Sequence, residues 1–534
     1  MSEPRMRMMK RRDFVIGAGA VAAAAALAAC TSAPPAPAAP PTQTPPPNQA
    51  AKPTGAGPTA APAGAAATGG GLTLPNSGAK LPTEPLTLRW ADNAGLKAIF
   101  FKDFLPAYQK VHPNITVAYD GLPLPELAKV VPLGIQNGNA PDVFELPTGF
   151  TGAQAVQQGW AQSLDDFIPN FAQWKASYPP GIFVNGNNVF GGKTYSFPFV
   201  SNKKNNALLL YNVEYLKQAE IDPASRPLTW DEFRAAAKKL TQQGAGKYYG
   251  FLTAAGEPGR MAMLIRFLAQ MAGAVGGDMN WKTGEYNYAT DQYVAAVDLL
   301  LAMKADGSIF PGSASLNALQ ADDQIPLGAA AMMINGSYMI PKWRTEAPAF
   351  VWDYASQPVP DGKTFSPLTY SPGGSVWWLY AKSKYPEVAG DMLGYLGSEV
   401  GQTAVQQAIS GAQPSVFAKA NQAAGIDPLA RKAAALYEQQ MRLAPSPNVR
   451  NPAIAEVDSE LKPLTPDFGA VVQGLFTGQL TDPSKALTDL KDRADKELDR
   501  GIKAAQAKGA KVAREDYVFA NWDPTKDFLE ADYR

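Results

Sequence analysis

One cysteine and one histidine stand in a chain of 534 residues, and each scarcity excludes a chemistry. A lone cysteine, Cys30, rules out an intramolecular disulfide. A lone imidazole, His112, leaves almost nothing from which to build a zinc site. No Asp/Asn-rich loop of the calcium-binding kind is present, so neither a metal nor another cofactor is expected. Basic and acidic residues balance at 48 each. Arg5, Arg7, Lys10, Arg11 and Arg12 hold part of the basic share, so the remainder is mildly acidic, and without a basic block nucleic acid is not an expected partner. Long hydrophobic runs are lacking too: the stretch from Phe14 to Ala29 falls short of the roughly 20 residues that span hydrocarbon.

That stretch, with its basic start, reads as an export signal over residues 1–30. Arg11-Arg12 with Phe14 resembles a twin-arginine signal. Leu27-Ala28-Ala29-Cys30 resembles a bacterial lipobox, which implies lipidation of Cys30 and an anchor on the outer face of the cytoplasmic membrane. From Thr31 to about Pro75 the only charged residue is Lys52, among Ala, Pro, Thr and Gly. Such a composition cannot offset its ordering entropy, so residues 31–82 are expected to be a disordered tether; its flexible part would span roughly 40 Å.

The globular part opens with LTLRWAD, a strand ending at Asp92-Asn93-Ala94-Gly95. A helix marked by Leu96, Phe100, Phe104 and Tyr108 follows, then the strand in HPNITVAYD, a βαβ-like start. His112, beside Pro113, reads as a surface residue at the helix end. Val143 to Leu146 is a short strand whose end carries Glu145 and Thr148. In open α/β sheets ligands bind beyond the carboxyl ends of strands, so Asp92, Asn93, Glu145 and Thr148 are candidate ligand groups. Ala207 to Tyr211 is a buried strand behind the polar tract Ser201 to Asn206. Thr229 with Glu232 makes a capping box before Phe233, Ala237 and Leu240 at helical spacing. A loop with Glu257 and Arg260 precedes a buried helix, and a hairpin around Thr283-Gly284 precedes a helix from Asp291 to Ala305. An apolar strand, Ala329 to Ile334, ends in Asn335-Gly336-Ser337, where a helix start near Tyr338 offers free N–H groups to oxygen-rich ligands. Gly373 and Gly374 permit close backbone approach. Trp377 and Trp378 cannot share one face of a strand.

The word order GGKxYxFPF … LxYN … TWDEFxxAAxKLT resembles the extracellular solute-binding proteins of bacterial ABC importers, in their large sugar-binding group. PAYQKVHPNITV, APDVF, GWAQSLDDFI, GAAAMMINGSYMIPKW and the closing NPAIAEVDSEL match the same family in order, over about Leu86 to Leu498. The resemblance implies an α/β, two-lobed periplasmic-binding-protein-like fold with three hinge crossings. Lobe 1 would hold 83–203 and 357–412, lobe 2 would hold 204–356 and 413–520, and 521–534 would form a tail. It also implies that the Asn-Gly segment faces the ligand, with Tyr338 where the family usually has a stacking tryptophan, and that Trp377 faces the cleft.

The expected function is capture, without catalysis, of a small polar solute, a sugar or oligosaccharide first, by a monomeric membrane-tethered receptor that serves the membrane subunits of an ABC importer. Aromatic faces would come from Tyr338, Trp343 and Trp377, and polar contacts from Asp92, Asn93, Glu145, Thr148, Ser201, Asn202, Glu257, Arg260 and Asn335 to Ser337, with Gly373 and Gly374 close by. Polyol, polyamine or peptide ligands stay open within this class. The alternative from another class is a secreted glycoside hydrolase using Glu145 and Glu257 as its carboxylate pair.

Overall fold

The strand β1 (Leu86–Asp92) alternates buried and exposed residues until Trp90, then stays buried through Asp92. In the computed structural model, which describes residue 72 and residues 74–147, 150–204, 207–362, 366–373 and 375–533, it is the axis of the first of two four-stranded sheets. Cys30, with the expected export signal and most of the expected tether, lies outside the described residues, as do Thr148 and Gly374. β1 pairs in parallel with β2 (Ile115–Gly121) on one side and with β3 (Val143–Glu145) on the other. Strand Trp377–Leu379, from far along the chain, closes the edge antiparallel to β3, with Trp377 opposite Glu145. Helix α1 (Gly95–Val111) buries Phe100, Phe101, Phe104 and Tyr108 on this sheet, the helical spacing expected of that segment.

The second sheet runs in the order Trp352–Ser356, Leu208–Asn212, Ala330–Asn335, Tyr249–Phe251. Leu208–Asn212 is central and wholly buried, which explains its unbroken apolar reading. Helix Trp230–Gly244 covers the sheet, and its capping box forms as expected: the Thr229 hydroxyl accepts from Glu232 N–H at 3.2 Å, and Glu232 accepts from Thr229 N–H at 2.9 Å. The helix lies so close to the edge strand Tyr249–Phe251 that a Cβ on Gly250 would stand 1.9 Å from the Ala237 carbonyl oxygen. The hairpin Met279–Asn280 with Glu285–Tyr286 and the helix Asp291–Ala305 also stand where the sequence puts them.

Each sheet has its own core, and core membership shows where the chain passes between them. Val200 packs in the first core and Ala207 with the second sheet, so the first passage lies at the polar tract. The return falls later than residue 357. The indole of Trp230 donates to the Pro358 carbonyl, Val359 bridges Thr229, and Leu368–Tyr370 pairs in parallel with Met441–Leu443 beside the second sheet. The chain rejoins the first sheet only at Trp377. Likewise Phe417 and Ala420 still pack in the first core, past residue 412, and Ile426 is the next to join the other. In both cases apolar residues hold the chain where backbone word order alone suggests an exit. Two terminal expectations also change. Leu72, Leu74 and Leu81, within the expected tether, pack on the first core. Phe519, Trp522 and Phe528 bury themselves against Ala444, so the C-terminal stretch is part of the globule.

Candidate functional site

The carboxyl end of β1 delivers Asp92, which is fully buried. Its Oδ2 accepts from the Trp377 indole at 2.7 Å and from the Trp90 indole at 3.3 Å, and its Oδ1 accepts from the Tyr119 hydroxyl at 2.7 Å. Burial pushes its pKa up, against the pull of the Lys97 charge and of these donors. Asp92 is therefore a tie between β1, β2 and strand Trp377–Leu379, and its acceptor oxygens are already used. Trp377 is 1% exposed, its ring stacked 5.6 Å from Phe101 and tilted 4.4 Å from Phe199. Its indole points to Asp92 in the core and away from any cleft, because Phe101 of α1, Phe199 and Trp90 pack against its ring.

Glu145, at the end of β3, is half-buried. It accepts from Asn93 N–H at 2.8 Å and pairs with Lys97 of α1 at 3.1 Å. Desolvation raises its pKa, and Lys97 opposes the rise. Asn93 thus contributes its backbone, and Lys97 enters the site unannounced.

The polar tract brings Lys204. Its ammonium donates to Gln413 Oε1 at 2.8 Å. Burial, then the charge of Lys97, lowers its pKa to about 7, while Glu145 acts the other way. Lys204 is thus electrostatically linked to the Lys97–Glu145 pair of the first lobe. It also lines a cavity of about 190 Å3 with Gln413 of the stretch after Ala412 and with Gly336, Ser337, Tyr338 and Tyr437 of the second lobe. Ser201 N–H donates to the Pro414 carbonyl at 2.8 Å, joining the same two stretches. Asn202 donates to the Ser371 carbonyl at 3.0 Å, and a Cβ on Gly373 would stand 2.5 Å from its Nδ2. That close approach is what the glycine allows.

On the second lobe, Asn335 is buried and donates to Asp322 Oδ1 at 2.6 Å, while its own oxygen takes Gly336 N–H at 2.9 Å. The Ser337 hydroxyl donates to the Ala412 carbonyl at 2.7 Å. Tyr338 donates to Asp322 Oδ2 at 2.7 Å and accepts from Arg260 at 3.3 Å. Desolvation raises Asp322 to about 6, with Tyr338 and Arg260 pulling it down. Arg260 stands 4.0 Å from Glu257, whose Oε2 accepts from Ala318 N–H at 2.9 Å at the start of helix Ala318–Gln324. Trp343 is 1% exposed, edge-on to Phe350 and Trp352. It belongs to the core, since the helix that carries it turns that face inward. Of the expected aromatic faces, only Tyr338 borders the cavity.

The arrangement is a polar cavity in which the strand–helix junction Gly336 to Tyr338, with Tyr437, meets Lys204 and Gln413 of the connecting stretches, and the charges of Lys97 and Glu145 are felt at Lys204. The profile of the bacterial extracellular solute-binding protein family matches residues 90–403, more than half of the chain. The chain belongs to that family. This solute-binding protein is 25% identical over 147 residues to an uncharacterized ABC transporter extracellular-binding protein of Pyrococcus horikoshii, which is 28% of this chain and 32% of that one. It is 26% identical over 168 residues to an uncharacterized lipoprotein of Streptomyces antibioticus, or 31% of this chain and 35% of that one. The matches thus span about a third of the length of these relatives. Among solved structures, the GacH receptor of Streptomyces glaucescens, determined unliganded and with acarbose, superposes with a TM-score of 0.60 at 18% identity, over 77% of this chain and 98% of its own. Maltose-bound MalE3 of T. maritima superposes at 0.59 with 18% identity, over 78% and 99%. These likenesses establish the mixed α/β, two-lobed fold. No helix among the described residues is long and apolar enough to cross a membrane.

Lys97, Lys204, Gln413 and Asp322 escaped the sequence reading. Lys204 had a signal, its place in a polar tract between a buried aromatic segment and an apolar strand. Asp322 had none, because its partner Asn335 is brought to it by folding alone.

Proposed function

We propose that this solute-binding protein captures a small polar solute, a sugar or oligosaccharide, between its lobes, closes on it by hinge motion, and passes it unchanged to the membrane subunits of an ABC importer. The observation that carries the reading is the cavity lined by Lys204, Gln413 and Gly336 to Tyr338, with the Lys97–Glu145 pair electrostatically coupled to it. Charged and hydroxyl groups fixed by neighbours, with the rings of Tyr338 and Tyr437, suit a hydroxyl-rich ligand. The acarbose and maltose complexes of the similar structures support the sugar class. Export through the signal of residues 1–30, lipidation of Cys30 and action as a monomer complete the proposal. Glu145 is held by Lys97 and Asn93, and Glu257 caps a helix, so each carboxylate already has a positioning task. This favours a receptor over a hydrolase. Calorimetric titration with an oligosaccharide panel, followed by chromatography of the recovered ligand, tests it. Saturable binding with intact ligand is expected; cleavage of a bound glycan would overturn it.

A further inference from the structure

Lys203 and Lys204 are neighbours in sequence and differ in their partners. The Lys203 ammonium pairs with the Glu438 carboxylate at 2.6 Å. The Lys204 ammonium meets, among the described residues, one neutral acceptor, Gln413 Oε1 at 2.8 Å, and no carboxylate. That bond uses one N–H of an ammonium that has more to donate. Lys204 is also the one charged residue among the described lining of the 190 Å3 cavity, whose other walls are small residues, an amide and hydroxyls. It keeps part of its surface open there. The two outside charges felt at Lys204, those of Lys97 and Glu145, are paired with each other at 3.1 Å, and the cation acts more strongly than the carboxylate. The cavity therefore carries one surplus positive charge. Burial and Lys97 oppose that charge and bring the lysine down to about 7. An enclosed cation without a counter-charge is costly, and a ligand that brings one removes the cost. A phosphate would bring nearly two negative charges, more than the surplus, whereas a carboxylate brings one.

Resting on the reading of this cavity as the solute site, we infer that the preferred solute is an acidic saccharide, a uronic-acid-containing oligosaccharide whose carboxylate accepts from the Lys204 ammonium. Its ring hydroxyls face Gln413, Tyr338 and Tyr437. Lys204 is thus the residue that selects an acidic sugar over a neutral one of the same shape.

The probes are oligouronates cut from pectin, alginate and glucuronoxylan, each beside its carboxyl-reduced counterpart, in which the carboxylate has become a hydroxymethyl group. Each is titrated calorimetrically into the purified full chain at pH 6, below the folded pKa of the lysine. At least one acidic member is expected to bind at least about tenfold tighter than its reduced counterpart, the scale of one charge-assisted hydrogen bond. Lys204→Met should erase that difference. Gln413→Glu places a carboxylate against the ammonium and should erase it too, with the lysine still present; it decides the matter if Lys204→Met fails to fold. Equal affinities within each pair, binding confined to neutral oligosaccharides, or an acid preference that survives in either folded variant would overturn the inference and leave sugar capture standing. Binding of neither series, nor of any neutral oligosaccharide, would overturn both.

Discussion

Lys204 donates to Gln413 across 2.8 Å, and that one bond ties the stretch entering the second sheet to the stretch that follows helix Glu399–Ala408. The lysine sits where burial and a neighbouring cation both work against its charge. Its folded pKa, about 7, lies below the ordinary 10.5. Between those values the unfolded chain binds more protons than the folded one, so this group makes stability rise with pH across that window, by up to about 1.4 kcal/mol per pH unit. Its contribution is lost as pH falls through 7. Lys204→Met should therefore flatten the dependence of urea-unfolding free energy on pH between 7 and 10. An unchanged slope would show that the ammonium is well solvated.

Asp322 titrates in the opposite sense. With its folded pKa raised to about 6 from 3.8, its stabilising contribution is complete below the unfolded value and is lost as pH rises through 6. Above pH 6 the carboxylate holds Tyr338, which in turn meets Arg260. Ligand affinity should consequently show an inflection near pH 6, and Asp322→Asn should remove it while changing affinity several-fold. Tyr338→Phe should keep the ring but weaken binding at pH 7 by about tenfold, the scale of one lost charge-linked hydrogen bond. A calorimetric pH series on the three proteins checks this.

Trp377 and Asp92 act on folding. Trp377→Ala removes a buried indole and one of the three donors to Asp92, at a cost of about 3–5 kcal/mol. Asp92→Ala leaves three donors unsatisfied and should cost a similar amount. Where either variant folds, ligand affinity should change far less than stability does. The comparison of urea midpoints with dissociation constants separates a core role from a stacking role.

The periodic parts of this chain were legible. β1, α1, the Thr229–Glu232 capping box and helix Asp291–Ala305 stand where spacing puts them, because local propensity and burial agree there. The position of the strand ends was legible too, and with it the general place of Glu145 and Tyr338. Side-chain direction was not. Trp343 and Trp377 look like ligand faces in the sequence and are core in the fold, since a tryptophan at a strand end or helix start can turn either way. The later passages fall beyond residues 357 and 412, because Val359, Leu368, Phe417 and Ala420 are held by partners distant in sequence. Lys97 and Lys204 gain their meaning from one another and from Glu145, a relation no single stretch contains.

The central claim is that two lobes close on an unmodified polar ligand at the Lys204 cavity. Small-angle scattering of the purified chain, with and without saturating oligosaccharide, measures that closure directly. The account predicts a smaller radius of gyration with ligand, reversed by dialysis, with the ligand recovered intact. It also predicts that Lys204→Met loses the compaction at the same ligand concentration. An unchanged radius at demonstrated saturation would contradict it, as would compaction accompanied by cleaved sugar.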